Sequence, residues 1–504
     1  MKDYRRAFLF VLMAVCLGSI PVSGSSRLKT ETCYIEALGE NAICGSYEVM
    51  ENRKVRKGAK IKLNFIILPA RTPHPAPDPV FIFSGGPGQG SADLVESYAR
   101  QYERLRQERA IVLIDQRGTG HSNPLPCIRI GDPDSAQTYL QDMFPEDYVN
   151  TCRRALEKSA DLRYYHSLVS MQDIDDLRGA LGYPQVNIIG ASYGSYFGIV
   201  YMKAFPQRVR SAFLSQIAIP GWGYPATVAP NTQASLERLI EDCAADPVGS
   251  RDYPRLREML AEVVGRLKQG PVQAAIINPF TGEPETVTFT HNNFIHGVRS
   301  LLYTASGSRW IPAFVHWAAQ GYYAPIAEYT AKYLRSNNKS IMDGLFLCVT
   351  CAETMPYIDY GKAESEAQGT FMGTYRLDQQ RRACELWVRG VIAADFFDIP
   401  TIPVPTLIVS GEIDPVTPPA YGQELARYLP KSLHIVIPYA GHEFGGVWEN
   451  CLEDVVDCFI SQGGTGGLDA ACVNVNRRPA FVSWRDYPAG PPEGISAKAM
   501  IQKH

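Results

Sequence analysis

The chain has 504 residues, too many for one ordinary domain and enough for a large α/β core with an insertion. Apolar residues make up 45% and charged residues 20%, which excludes a disordered or fibrous chain. The 49 Lys and Arg nearly balance the 52 Asp and Glu, and a formal net charge of −3 gives no global reason to bind nucleic acid or an acidic membrane.

Residues 1–24 read as a signal peptide. Lys2, Arg5 and Arg6 form a basic start, Ala7 to Leu17 an apolar stretch of 11 residues, and Val22-Ser23-Gly24 a cleavage-like end. That stretch is shorter than the about 20 residues a membrane-spanning helix needs. A buried N-terminal helix and a lipoprotein signal at Cys16 are weaker alternatives, because Val15 stands where lipoprotein signals carry a small residue. Export to the periplasm or the medium follows, with no stable membrane span. Cleavage would move the net charge from −3 to −5.

Further along, short apolar runs alternate with helical patterns. Ile61–Leu68, Val80–Phe83, Ala110–Ile114, Val186–Ile189 and Val209–Ser215 read as strands, as do Thr406–Val409 and Leu433–Ile437. Leu94–Gln107 and Met171–Leu181 show helical spacing between them. Runs this apolar suit strands covered on both faces, and the alternation predicts a mostly parallel, doubly wound sheet. Residues 25–217 form the first part of this core. Residues 218–400 read as an inserted, mainly helical cap, with helices at Ser235–Ala245, Arg255–Lys268, Phe294–Leu302 and Trp310–Ala319 and one strand at Glu285–Phe289. Residues 401–480 return to the core, with a helix around Val447–Phe459 and a Gly-rich turn at Gly463–Gly467, and 481–504 read as a polar tail.

Loss of Cys16 leaves 11 cysteines, suited to disulfides in an oxidising compartment, and the odd number leaves at least one free thiol or an intermolecular bond. Cys33–Cys44, Cys127–Cys152 and Cys458–Cys472 are plausible local pairs. Cys348 and Cys351 have C-x-x-C spacing but no second ligand pair, so neither a zinc site nor any other cofactor is expected.

Gly190-Ala191-Ser192-Tyr193-Gly194 is a G-x-S-x-G that follows an apolar strand and opens a helical stretch, Ser195–Ala204. Such an elbow needs glycine at both ends and lifts the serine hydroxyl above the sheet. An ordinary Gly-rich βα turn is the alternative reading. A serine nucleophile requires a base, and the base an orienting acid, which follow in this chain order on late strands. Asp414, in Gly411-Glu412-Ile413-Asp414-Pro415-Val416-Thr417-Pro418, and His442, in Ala440-Gly441-His442-Glu443-Phe444, occupy those places; Glu412 is the rival acid. Phe83-Ser84-Gly85-Gly86-Pro87-Gly88 follows another strand and is a candidate oxyanion loop, with the backbone N–H of Gly86, or of Gly88 in second place, acting beside that of Tyr193. A phosphate loop would need G-K-[ST], and a dinucleotide loop a different glycine spacing.

On these motifs (GGPG at 85–88, DQRGTGHS at 115–122, GASYG at 190–194, Asp414 and His442) the chain resembles α/β-hydrolases of the proline iminopeptidase and tripeptidyl-aminopeptidase group. The resemblance covers about residues 33–480 and implies a serine exopeptidase acting on peptides with a free N-terminus. It gives Asp115 and Arg117 a structural role. It makes Glu353, in Cys351-Ala352-Glu353-Thr354, the anchor for the substrate amine, since acidic cap residues hold that group in such enzymes. Ser84 stands where proline iminopeptidases often carry histidine, which favours the tripeptidyl type. A carboxylic-ester hydrolase using the same machinery is the alternative. A non-catalytic binding protein would need a broken triad. The sequence sets no oligomeric state.

Overall fold

The computed structural model describes residues 27–55 and 57–487; the signal peptide expected over 1–24 lies outside them, as does 488–504. Nine strands form one sheet: β1 (Leu28–Ile35), β2 (Glu40–Met50), β3 (Lys60–Leu68), β4 (Val80–Phe83), β5 (Ile111–Ile114), β6 (Val186–Ala191), β7 (Val209–Ser215) and, after the insertion that holds β8 (Val272–Ile277) and β9 (Pro284–Phe289), β10 (Thr406–Gly411) and β11 (Ser432–Ile437). The spatial order is β1-β2-β3-β5-β4-β6-β7-β10-β11. From β5 to β11 every pair is parallel, whereas β1, β2, β3 and β5 pair antiparallel. The central runs are as apolar as they are because both faces are covered: every residue of β4 and β5 is buried. Helices Ser167–Ala180 and Tyr193–Ala204 contribute to the apolar layer on one face, and Leu105 and Glu453–Gln462 to that on the other.

β1 and β2 escaped the sequence reading because β1 is an exposed edge strand and β2 mixes polar residues with a few buried apolar ones instead of forming a continuous apolar run. The hairpin turns at Gly39 in the left-handed region (φ 66°) and is cross-linked by Cys33–Cys44. The helix expected over Leu94–Gln107 is broken at Tyr102 into Val95–Gln101 and Glu103–Glu108. The one expected near Val447 opens with a π-turn, Trp448–Leu452, before Glu453–Gln462.

Within 218–400, helices from Val228–Ala245 to Ala324–Ser340, with the β8–β9 hairpin, surround an apolar cluster of their own. The later part behaves differently. Helix Asp343–Glu353 packs through Leu345, Leu347 and Cys351 into the core cluster, and Cys351–Cys384 clamps it to helix Tyr375–Leu386. Residues 481–487 also depart from a polar tail. Phe481 and Val482 are buried in the cap cluster, and Ser483 and Arg485 bond Asp252.

Among the described residues there are four disulfides, Cys33–Cys44, Cys127–Cys152, Cys351–Cys384 and Cys451–Cys472. The last replaces the expected Cys458–Cys472, and Cys458 is free. The C-x-x-C is split as well: Cys351 is cross-linked, while Cys348 is a buried thiol beside the Trp387 indole. Four cross-links suit an oxidising compartment. Among the described residues no helix is long and apolar enough to cross a membrane.

Candidate active site

Four loops at the carboxyl ends of parallel strands meet in one place, where open α/β sheets bind ligands. β6 ends in the serine elbow. Ser192 has φ 56° and ψ −123°, a conformation that costs on the order of 1–3 kcal/mol in a non-glycine residue. The neighbouring glycines make it possible: a Cβ on Gly190 would lie 2.3 Å from the Gly194 carbonyl oxygen, and one on Gly194 would lie 2.0 Å from that of Phe83. Ser192 thereby becomes the residue from which helix Tyr193–Ala204 starts.

The loops after β10 and β11 approach each other closely, since a Cβ on Gly411 would lie 2.1 Å from the Gly441 carbonyl oxygen. They bring Asp414 Oδ2 to 2.8 Å from His442 Nδ1. The other carboxylate oxygen accepts the backbone N–H groups of Val416 (2.7 Å) and Thr417 (2.9 Å), a side-chain turn of the kind aspartate forms at loop starts. The Thr417 hydroxyl donates to Asp414 Oδ2 at 2.7 Å. Burial alone would raise the Asp414 carboxyl, but His442 and the Thr417 bonds outweigh it and hold it below the ordinary carboxylate range. Glu412, the rival acid, is turned away: it accepts the Tyr439 N–H and faces Arg238. Sequence reasoning passed over Thr417, although its spacing three residues after Asp414 is the signature of such a turn.

Gly86 (φ 110°) and Gly88 (φ 119°) hold the third loop in backbone that side chains rarely adopt, and Gly85 packs against Ser192. Ser192, Tyr193, Gly86 and His442 line one cavity of about 460 Å³. Among the described residues the N–H groups of Gly86 and Tyr193 make no backbone hydrogen bond, and no hydrogen bond joins Ser192 to His442. Glu443 also opens on this cavity. Its side chain is exposed, yet the surrounding cap raises its carboxyl, with His442 opposing the shift. The edge of Tyr303 stands against His442, with ring centroids 5.1 Å apart.

Asp115 and Arg117 brace the loops beneath. Asp115 accepts the N–H groups of Ala92 and His121, and Arg117, wholly buried, pairs with Asp173 at 2.7 Å.

Glu353, expected as the anchor for the substrate amine, is set apart from this cavity. It is 0% exposed and is absent from the cavity wall. Its carboxylate accepts the Ser167 N–H (2.6 Å), the Ser167 hydroxyl (2.8 Å) and the Tyr196 hydroxyl (2.7 Å), so its oxygens are occupied by protein donors. The Ser167 hydroxyl also meets that of Tyr193. Glu353 therefore ties Ser167 to Tyr196 in the first turn of helix Tyr193–Ala204. The sequence could not show this, because the disulfide to Cys384 and the core packing of its helix decide it.

Burial pushes the Glu353 carboxyl up to about 7 against the hydrogen bonds from Ser167 and Tyr196. The folded state thus holds a proton that the unfolded chain releases near pH 4.5, and stability falls as pH rises between those values. A shift of this size is worth about 3 kcal/mol. Glu353→Gln is expected to lack this part of the decline between pH 5 and pH 8, as read by thermal unfolding; equal pH slopes in the two proteins would exclude it.

The sequence matches the profile of the α/β-hydrolase fold over residues 78–445. A tripeptidyl aminopeptidase of Streptomyces coelicolor is 24% identical over 436 residues, covering 77% of this chain and 75% of that protein. The serine protease Hip1 of Mycobacterium tuberculosis is 24% identical over 421 residues, covering 77% and 79%. Among solved structures, a proline iminopeptidase of Mycobacterium smegmatis aligns with TM-score 0.37 and 15% identity, covering 83% of this chain and 98% of that one. With the matched segment running from the strand before the glycine loop to the loop after His442, this chain belongs to the α/β-hydrolase fold family and is an enzyme of that class, with serine peptidases among its relatives.

Proposed function

We propose that the protein is an exported serine exopeptidase that cleaves short residues or peptides from a free N-terminus, with Ser192 as nucleophile, His442 as base and Asp414 as the acid that orients it. The observation that carries this reading is the 2.8 Å Asp414–His442 contact on the wall that also holds Ser192 and Gly86. In the reaction, His442 Nε2 takes the proton of Ser192 Oγ as that oxygen attacks the scissile carbonyl, a contact that tightens when substrate binds. The oxyanion is received by the N–H groups of Tyr193 and Gly86, each worth about 3–4 kcal/mol in the transition state. Collapse breaks the C–N bond, His442 returns the proton to the leaving amine, and water then releases the acyl group by the same steps. Asp414 fixes the tautomer and stabilises the imidazolium. No step calls on a metal or cofactor.

With Glu353 withdrawn, Glu443 supports the free-amine reading, as a cavity-facing carboxylate next to His442 with no ion pair among the described residues. The relatives named tripeptidyl aminopeptidase and serine protease support peptide substrates, and the disulfides support export. The test compares a chromogenic tripeptide amide with its N-acetylated form and with a short acyl ester. A free-amine preference of tenfold or more in kcat/KM is expected. Ester turnover without amide cleavage would replace the peptidase reading by that of an ester hydrolase.

A further inference from the structure

The chemistry at Ser192 uses only part of the cavity. Arg129, Arg299 and Arg376 line the same space. Among the described residues neither Arg299 nor Arg376 forms an ion pair, and the Nε of each is buried without a hydrogen-bond partner. Arg376 is 7% exposed and set among the rings of Phe144, Tyr224 and Phe346, 5.5–6.0 Å from their centroids, and its terminal nitrogens donate to the Tyr224 hydroxyl and Met143 Sδ, so neutral groups stand where an anion could bind. Arg299 lies over Tyr303, 5.1 Å from its centroid, and Tyr303 in turn touches His442 edge-on. A single ring therefore separates this guanidinium from the imidazole.

The surroundings offset these charges only in part. His296 is buried beside them with Nε2 unpartnered, and burial together with Arg376, Arg299 and Arg129 pulls its pKa down to about 3, so it stays neutral. Asp343 is the nearby carboxylate: it lines the same cavity and accepts the Tyr148 hydroxyl at 2.5 Å, and burial raises its carboxyl against the opposing charges of Arg129 and Arg376, with which it forms no ion pair. Keeping guanidinium groups this enclosed without an anion is costly in a folded protein. Their forked donors match a carboxylate in shape and charge.

We infer that Arg299 and Arg376 form a carboxylate-binding subsite, so that the preferred substrate presents a carboxylate to the cap wall while its scissile carbonyl lies at Ser192. This deepens the peptidase reading and rests on it for the substrate backbone. Two groups of a short peptide supply that chemistry: an acidic side chain near the scissile bond, or the C-terminal carboxylate of a di- or tripeptide.

The experiment uses the full-length protein and three matched pairs of substrates. The first pair is a peptide anilide with a neutral or a glutamate side chain in the released part. The second is a tripeptide with a free or an amidated C-terminus, and the third has a free or an acetylated N-terminus. A preference of at least tenfold in kcat/KM for the carboxylate is expected in the first or the second pair, and whichever pair shows it identifies the source. Arg299→Gln should abolish that preference and Arg299→Lys should restore part of it. Equal turnover with and without the carboxylate in both pairs overturns the inference, as does a preference that survives in both Arg299→Gln and Arg376→Gln. The substrate comparison in the unaltered protein needs no variant to fold. The third pair reports on the aminopeptidase reading alone. If amides are not cleaved, the same pairs prepared as esters carry the carboxylate test.

Discussion

Ser192→Ala is expected to lower kcat by about 10⁵–10⁶-fold while leaving unfolding by heat or denaturant nearly unchanged. The strained backbone at Ser192 is set by Gly190, Gly194 and the β6–helix junction, and none of these contacts involves the hydroxyl. Removing one oxygen would therefore delete the proposed nucleophile and spare the elbow. What survives would come from the oxyanion donors and substrate binding. A variant that retains a tenth of the activity would place the nucleophile elsewhere.

Asp414→Asn comes next, with an expected loss of about 10⁴-fold in kcat. Asp414 is 3% exposed, and its Oδ1 already accepts two backbone N–H groups. An asparagine oxygen would stay on those donors, which turns the new NH₂ toward the Thr417 hydroxyl and His442 Nδ1. The imidazole would then carry its proton on the nitrogen that has to accept one from Ser192. Glu412→Gln is the matched control, because Glu412 faces Tyr439 and Arg238, and activity within a few-fold of the parent is expected. Steady-state kinetics on both variants decides the acid; a large loss in Glu412→Gln with little in Asp414→Asn would reverse the assignment. Because His442 and Thr417 hold Asp414 below its ordinary range, its stabilising contribution is complete above that range and disappears only as pH falls through the lowered value.

The parallel half of the sheet was legible because buried strands are written as uninterrupted apolar runs, as in Val80–Phe83 and Ile111–Ile114. The positions of Ser192, Asp414 and His442 were legible because a strand-to-helix elbow and two late strand ends admit few residue types. The hairpin Leu28–Met50 was not, since an exposed edge carries little hydrophobic signal. Glu353 shows a different limit. The family resemblance of Cys351-Ala352-Glu353 suggested the cavity, yet the packing of Leu345, Leu347 and Cys351 turns its helix into the core and delivers the carboxylate to Ser167 and Tyr196. Side-chain direction there depends on a disulfide to Cys384, 33 residues away, which periodicity does not reveal. The arginines of the cavity were hidden for a related reason. Arg129, Arg299 and Arg376 come from three distant segments and converge only in the folded chain.

The account turns on a covalent intermediate at Ser192, and the most direct measurement is the intact mass of the protein quenched during turnover of a slowly deacylating substrate. One acyl group per chain, mapped to the peptide containing Ser192 and absent from Ser192→Ala, is the expected result. Turnover with no adduct, or an adduct on another residue, would contradict it.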